Sequence, residues 1–163
     1  MGSRHTRLGA ALAAAWESEV VSARLLDALA ERHLDARARA KLRVLAAFCR
    51  AHASRLLARL SALGRGPLPV PREVDPIEQD QVGMLLLREA HFARVSAQRY
   101  ETLAQLARQH ADLSSAWVCE LNRTEELDRA NELSHLARGM AEQQQRGTSG
   151  DAPAAEWAAP AES

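Results

Sequence analysis

Aromatic side chains are scarce: three Trp, one Tyr and two Phe make up 4% of the chain. A β-sandwich core draws heavily on aromatic and β-branched residues, so this composition argues against one. The only cysteines, Cys49 and Cys119, are too few for a disulfide framework. Neither sign of charge dominates, since 21 Lys and Arg face 21 Asp and Glu. That removes the basic footprint of a nucleic-acid-binding protein and the acidic field that attracts cationic partners. No apolar run approaches the roughly 20 residues of a membrane span. The basic, small-residue start MGSRHTRLGAALAAAW leads into amphipathic helix without a cleavage context, so a cytoplasmic protein is expected. Gly-rich phosphate loops, nucleophile elbows, CxxC pairs and HExxH are all missing. The histidines have no His-x-x-x-His or His-x-x-x-Glu spacing. Lysine is nearly missing too, with Lys41 alone among arginines, which reads as codon bias rather than recognition.

What is present is Ala, Leu and Arg in helical spacing, interrupted once. The stretch Leu63–Asp80 holds Pro67, Pro69, Pro71 and Pro76 and cannot be helix. Its Pro-x-Pro-x-Pro start favours an extended path of roughly 3.1 Å per residue. Such a segment is too long for a tight turn, but it can run the length of a helix and re-enter at the far end. The expected fold is therefore all-α: a four-helix bundle of two helical hairpins joined by a long crossover. Helices are predicted over about 8–32, 36–62, 77–109 and 113–144, with the crossover at 63–80. Asp35 is the predicted N-cap of the second helix, Leu63-Gly64 its stop, and Asp75-Pro76 the start of the third. Residues 1–146 form the bundle, and the Gly/Pro/Ala/Ser-rich remainder, 147–163, is predicted to be a disordered tail. A shift of 77 residues, the separation of Asp35 from Asp112, also matches Leu26 with Leu103 and Leu56 with Leu133, a weak internal repeat of two hairpins.

The apolar stripes carry polar residues where apolar ones belong: Glu19, then Cys49 and His52, then Glu89, then Arg123 and Glu126. Buried charge is costly unless it is paired, hydrogen-bonded or bound to metal. The cluster is thus either a set of ion pairs, with Arg123 bridging Glu19 and Glu126, or a metal site.

On these residues and this chain path, 8–142 resembles the ferritin-like superfamily, including rubrerythrins and bacterioferritins. In that pattern two helices each give a Glu and two each give Glu-x-x-His. Glu19 occupies the first-helix Glu position and His52 the second-helix His position, with Cys49 where its Glu partner stands. Glu89 lies on the third stripe. In the fourth helix Arg123-x-x-Glu126 or Glu126-x-x-Arg129 replaces Glu-x-x-His. The resemblance implies a degenerate di-metal centre. Its ligands would be Glu19, His52 and Glu126, with Cys49 and Glu89 next, holding iron or another divalent metal such as zinc. Cys49 as a thiolate would favour zinc. Folding about the turn near 111 puts Glu126 level with Ser96, and Glu89 roughly 10 Å away.

The expected function is a non-catalytic bundle with a weak, mononuclear metal site or none. An active ferroxidase or oxidase is the least supported reading, because both Glu-x-x-His pairs are incomplete. The alternative is an assembly or adaptor protein. In that reading an outward edge of Leu85, Phe92, Val95 and Leu106 makes a homodimer, and Trp157 in the tail docks a protein partner. Trp16 and Trp117 are expected to be packing residues.

Overall fold

The structure is a computed structural model in which residues 2–32, 34–66, 68 and 70–149 are described. Four helices form the bundle: α1 Gly2–Ala30, α2 Ala36–Ala62, α3 Val82–Gln109 and α4 Leu113–Ser149. A single 3-10 turn, Gln79–Gln81, precedes α3, and there is no strand among the described residues.

Side-chain chemistry sets the helix ends. Asp35 Oδ1 accepts from the Ala38 amide at 2.8 Å and caps α2. Asp112 does the same for α4, accepting from the Ser115 amide at 3.0 Å and from Ser115 Oγ at 2.6 Å. Gly64 closes α2 at φ 67°. There the amides of Gly64 and Arg65 return to the carbonyls of Ser61 and Leu60, at 3.0 and 2.9 Å. Ala111 closes α3 with the same pattern at φ 57°.

The crossover runs up α1. At one end Arg65 donates to the Thr6 carbonyl, and further along Arg24 donates to the carbonyls of Pro71 and Arg72, each at 3.1 Å. The chain thus re-enters at the end opposite to where α2 stops, and α2 and α3 run parallel. Paired contacts give the rest of the topology. Glu19 meets Tyr100 while Ser22 meets Glu89, so α1 and α3 are antiparallel neighbours. Lys41 meets Glu132 while Arg59 meets Asp112, so α2 and α4 are too. The order around the bundle is α1, α2, α4, α3. This is the two-hairpin arrangement with a diagonal crossover.

Four boundaries differ from expectation. Asp75-Pro76 does not start α3: the chain stays non-helical through Glu78, and Glu78 and Gln81 form a capping box one turn later. The cause is Ile77, only 4% exposed, which docks in the core from the non-helical chain before α3. The first helix begins at Gly2 and ends at Ala30, and α4 continues to Ser149. His33 and residues 150–163, with Trp157, lie outside the described residues.

The core has two apolar halves. One gathers Leu26, Leu29, Leu42, Leu45, Leu86 and Leu133; the other gathers Leu8, Leu12, Leu56, Leu60, Leu103 and Ala107. Between them lies a layer of buried polar groups: Glu19, Ser22, His52, Glu89, Ser96, Asn122, Glu126 and Arg129.

The outward apolar edge on α3 is corrected. Leu85 is buried in the core, Leu106 packs against the second half, Phe92 is half-buried, and Val95 alone of the four is exposed. Trp117 is not a packing residue either: with Leu113 it stands in solvent at the start of α4. Trp16 does pack, against the second half of the core.

Candidate metal centre

Glu19, His52 and Glu126 come from α1, α2 and α4, each on the apolar stripe of its helix, and they converge in the polar layer. His52 and Glu126 are fully buried and Glu19 is 3% exposed. His52 Nδ1 lies 3.3 Å from Glu19 Oε2 and 3.2 Å from Glu126 Oε1. Glu19 holds a hydrogen bond with that nitrogen, whereas Glu126 Oε1 is left buried with no hydrogen-bond partner. One nitrogen thus faces two carboxylate oxygens and can serve only one of them through a proton. The fourth helix of the ring contributes Tyr100, whose hydroxyl donates to Glu19 Oε1 at 2.7 Å.

The three donor atoms lie within 4.8 Å of one another and form the group of His, Asp, Glu and Cys side chains, among the described residues, able to hold a metal ion. Their chemistry, one imidazole nitrogen and two carboxylate oxygens, suits a first-row divalent ion. The spacing suits it too. Ligand bonds of about 2.0–2.1 Å in tetrahedral array have edges of about 3.4 Å, close to the two distances at Nδ1.

The other sequence candidates sit around this point rather than in it. Cys49 is fully buried, but its sulfur accepts from Arg129 Nη1, and burial pushes the thiol far above its ordinary pKa. In the metal-free chain it is therefore a thiol. Glu89 is buried apart and accepts from Ser22 Oγ at 3.0 Å. Burial holds Glu89 above the ordinary carboxylate range despite the charge of Arg129. The arginine that meets Glu126 is Arg129, not Arg123, and no arginine bridges Glu126 to Glu19 among the contacts described. Arg123 is 41% exposed on its side chain and pairs with Glu101 across the α3–α4 seam at 3.6 Å. Arg129 is buried and donates to Glu126 Oε2 at 2.8 Å. Both arginines lie three residues from Glu126, and only the one beside Cys49 turns inward.

Sequence reasoning missed Glu125 and Arg55. Glu125 Oε2 lies 2.8 Å from His52 Nε2. Arg55 grips the same carboxylate with two hydrogen bonds, of 2.6 and 3.2 Å, and also donates to Asn122 Oδ1 at 2.9 Å. Both lie off the apolar stripes, where a charged residue reads as solvated surface.

The electrostatics follow from burial and pairing. Burial alone would lower the His52 pKa, but the nearby carboxylates of Glu126 and Glu19 outweigh it and raise it to about 9. Burial would raise Glu19, yet His52, Arg129 and Tyr100 bring it below its usual value. For Glu126, burial and the Glu19 charge win over His52 and Arg129, and its pKa rises. Burial would also raise Glu125, but Arg55 and His52 hold it down as a carboxylate. Burial would lower the Arg129 pKa, but the neighbouring carboxyl groups of Glu126, Glu19 and Glu89 counter it and Arg129 remains a cation.

Two surface cavities lie elsewhere. One, of about 470 Å³, sits under the crossover between Leu25, Ile77 and Leu85. Another, about 460 Å³, is lined by Arg59, Leu113, Trp117 and Val118. Neither is lined by Glu19, His52 or Glu126. No described helix is long and apolar enough to cross a membrane.

No protein-family model, curated protein or solved structure significantly matches this chain.

Proposed function

We propose that this protein is a ferritin-like bundle that binds one divalent metal ion through Glu19, His52 and Glu126 and serves a non-catalytic role. The observation that carries the reading is the double approach to His52 Nδ1, from Glu19 Oε2 at 3.3 Å and Glu126 Oε1 at 3.2 Å. A proton on Nδ1 satisfies one of these oxygens; an ion among the three donors satisfies both. The donor set of one imidazole and two carboxylates admits iron(II), zinc(II) or manganese(II). The non-catalytic role rests on the burial of all three donors. Closed sites of this kind stabilise a fold, whereas catalytic ones keep a position open to solvent. Arg129 argues for one ion rather than two, since a tethered cation already occupies the other oxygen of Glu126.

The test is elemental analysis of protein made in metal-supplemented medium. The expected result is one ion per chain, lost when Glu19→Ala and His52→Ala are combined, with a raised melting temperature in the loaded parent. A parent carrying no ion above trace would refute the reading.

A second reading, self-association or docking, draws on Trp117 at 63% exposure and Leu113 at 70%. Light scattering of the parent beside Trp117→Ser separates it from the first, which requires no partner.

A further inference from the structure

A buried imidazole can offer a metal ion only the nitrogen that carries no proton, so something must hold the proton on the other. His52 Nε2 points away from Glu19 and Glu126, along the α2–α4 seam, and meets Glu125 Oε2 at 2.8 Å. The Glu125 carboxylate is itself fixed. Arg55 Nη1 and Nη2 grip its two oxygens at 2.6 and 3.2 Å, and Arg55 Nη1 also donates to Asn122 Oδ1 at 2.9 Å. Asn122 is fully buried, so the clamp has a rigid footing on α4. Glu125 and Arg55 are 25% and 28% exposed, so the clamp is the half-wet edge of an otherwise dry site.

We propose that Glu125, clamped by Arg55, is a positioning residue for the metal site. It accepts the Nε2–H of His52, so the Nδ1 lone pair is the one directed at Glu19 and Glu126. A carboxylate behind a ligating histidine fixes the tautomer, orients the ring and makes the ligating nitrogen more basic. The inference rests on the metal reading above and adds to it a residue, Glu125, that touches no ion. The neighbouring pair of acids on α4 divides the work: Glu126 faces the inner nitrogen of His52 and Glu125 the outer one.

The test uses the full chain and zinc(II). Affinity is measured by competition with a chromophoric chelator for the parent, Glu125→Ala, Glu125→Gln and Arg55→Met. Long-range nitrogen–proton correlation spectra of the zinc-loaded parent report which ring nitrogen of His52 keeps its proton. The expected spectrum shows Nε2 protonated and Nδ1 bound. Glu125→Ala should bind about 10- to 100-fold more weakly at unchanged stoichiometry. Glu125→Gln, whose carbonyl still accepts the Nε2–H, should recover most of that loss, and Arg55→Met should fall between. A merely structural Glu125 would leave the tautomer alone and would not be rescued by Gln. Zinc bound through Nε2, or a Glu125→Ala affinity within twofold of the parent, overturns the inference while leaving the metal site intact. A parent that binds none of zinc(II), iron(II) and manganese(II) overturns both. If Glu125→Ala does not fold, Arg55→Met and the parent spectrum decide the matter.

Discussion

Arg129 Nη2 donates to Glu126 Oε2 at 2.8 Å, and the other oxygen of that carboxylate faces His52. The two residues sit three positions apart on α4 and are both dry, at 1% and 0% exposure. Removing one partner of such a pair strands the other as an uncompensated charge, at a cost of about 3–5 kcal/mol. Arg129→Met should therefore lower the urea midpoint of unfolding sharply. The double variant Glu126→Gln with Arg129→Met should recover much of that loss, because no charge is then stranded. Equal destabilisation by the single and double variants would show that Arg129 matters by packing alone.

The pH dependence of the metal-free protein follows from His52. Its pKa stands at about 9 in the folded chain, raised by Glu126 and Glu19 against the effect of burial. The unfolded value is about 6.5. A group whose pKa is raised by folding contributes stability in full below its unfolded value and loses it as pH climbs through its folded value. Stability from His52 should thus be complete below about pH 6.5 and fall away by about pH 9, by on the order of 3 kcal/mol. Glu126, also raised, acts in the same sense at lower pH. Denaturation of chelator-treated parent and His52→Gln across this range isolates the term. Parallel curves for the two proteins would mean that folding leaves the His52 pKa unshifted.

The inward stripes were legible because a helix repeats every 3.6 residues, so Leu42, Leu45, Cys49, His52, Leu56 and Leu60 share one face whatever they pack against. The convergence of Glu19, His52 and Glu126 followed from those stripes and the crossover. Spacing cannot choose between Arg123 and Arg129, however, since both lie one turn from Glu126. The neighbours decide: Cys49 and Glu126 receive Arg129, while Glu101 on α3 draws Arg123 to the seam. Glu125 was hidden for a similar reason. It lies off the apolar stripe, and only the geometry of the α2–α4 seam brings it to His52. Asp75-Pro76 is a strong local signal for the start of α3, and the burial of Ile77 from non-helical chain overrides it.

Both thiols should be silent in the folded protein. Cys49 and Cys119 are fully buried, and burial raises the Cys49 thiol far above its usual value and the Cys119 thiol to about 12. Reaction with a thiol reagent needs exposed thiolate, so it should proceed through unfolding and run at least about a thousandfold slower than in denaturant. Rapid labelling of one thiol in the native state would reveal local opening of its helix.

The two helix stops make a matched experiment. Gly64 ends α2 at φ 67° and Ala111 ends α3 at φ 57°, with the same returning amide bonds. The left-handed region costs a residue with a side chain about 1 kcal/mol relative to glycine, whose flexibility in the unfolded chain offsets part of the gain. A Cβ at Gly64 meets nothing within 4 Å, so backbone conformation alone sets the cost there. Gly64→Ala should lower stability and Ala111→Gly raise it, each by about 0.5–1 kcal/mol. Because the sites lie at separate turns, the double exchange should return the protein to within a few tenths of a kcal/mol of the parent. Thermal melts of the three variants check this. If Ala111→Gly destabilises, the side chain of Ala111 contributes more to the turn than its backbone strain removes.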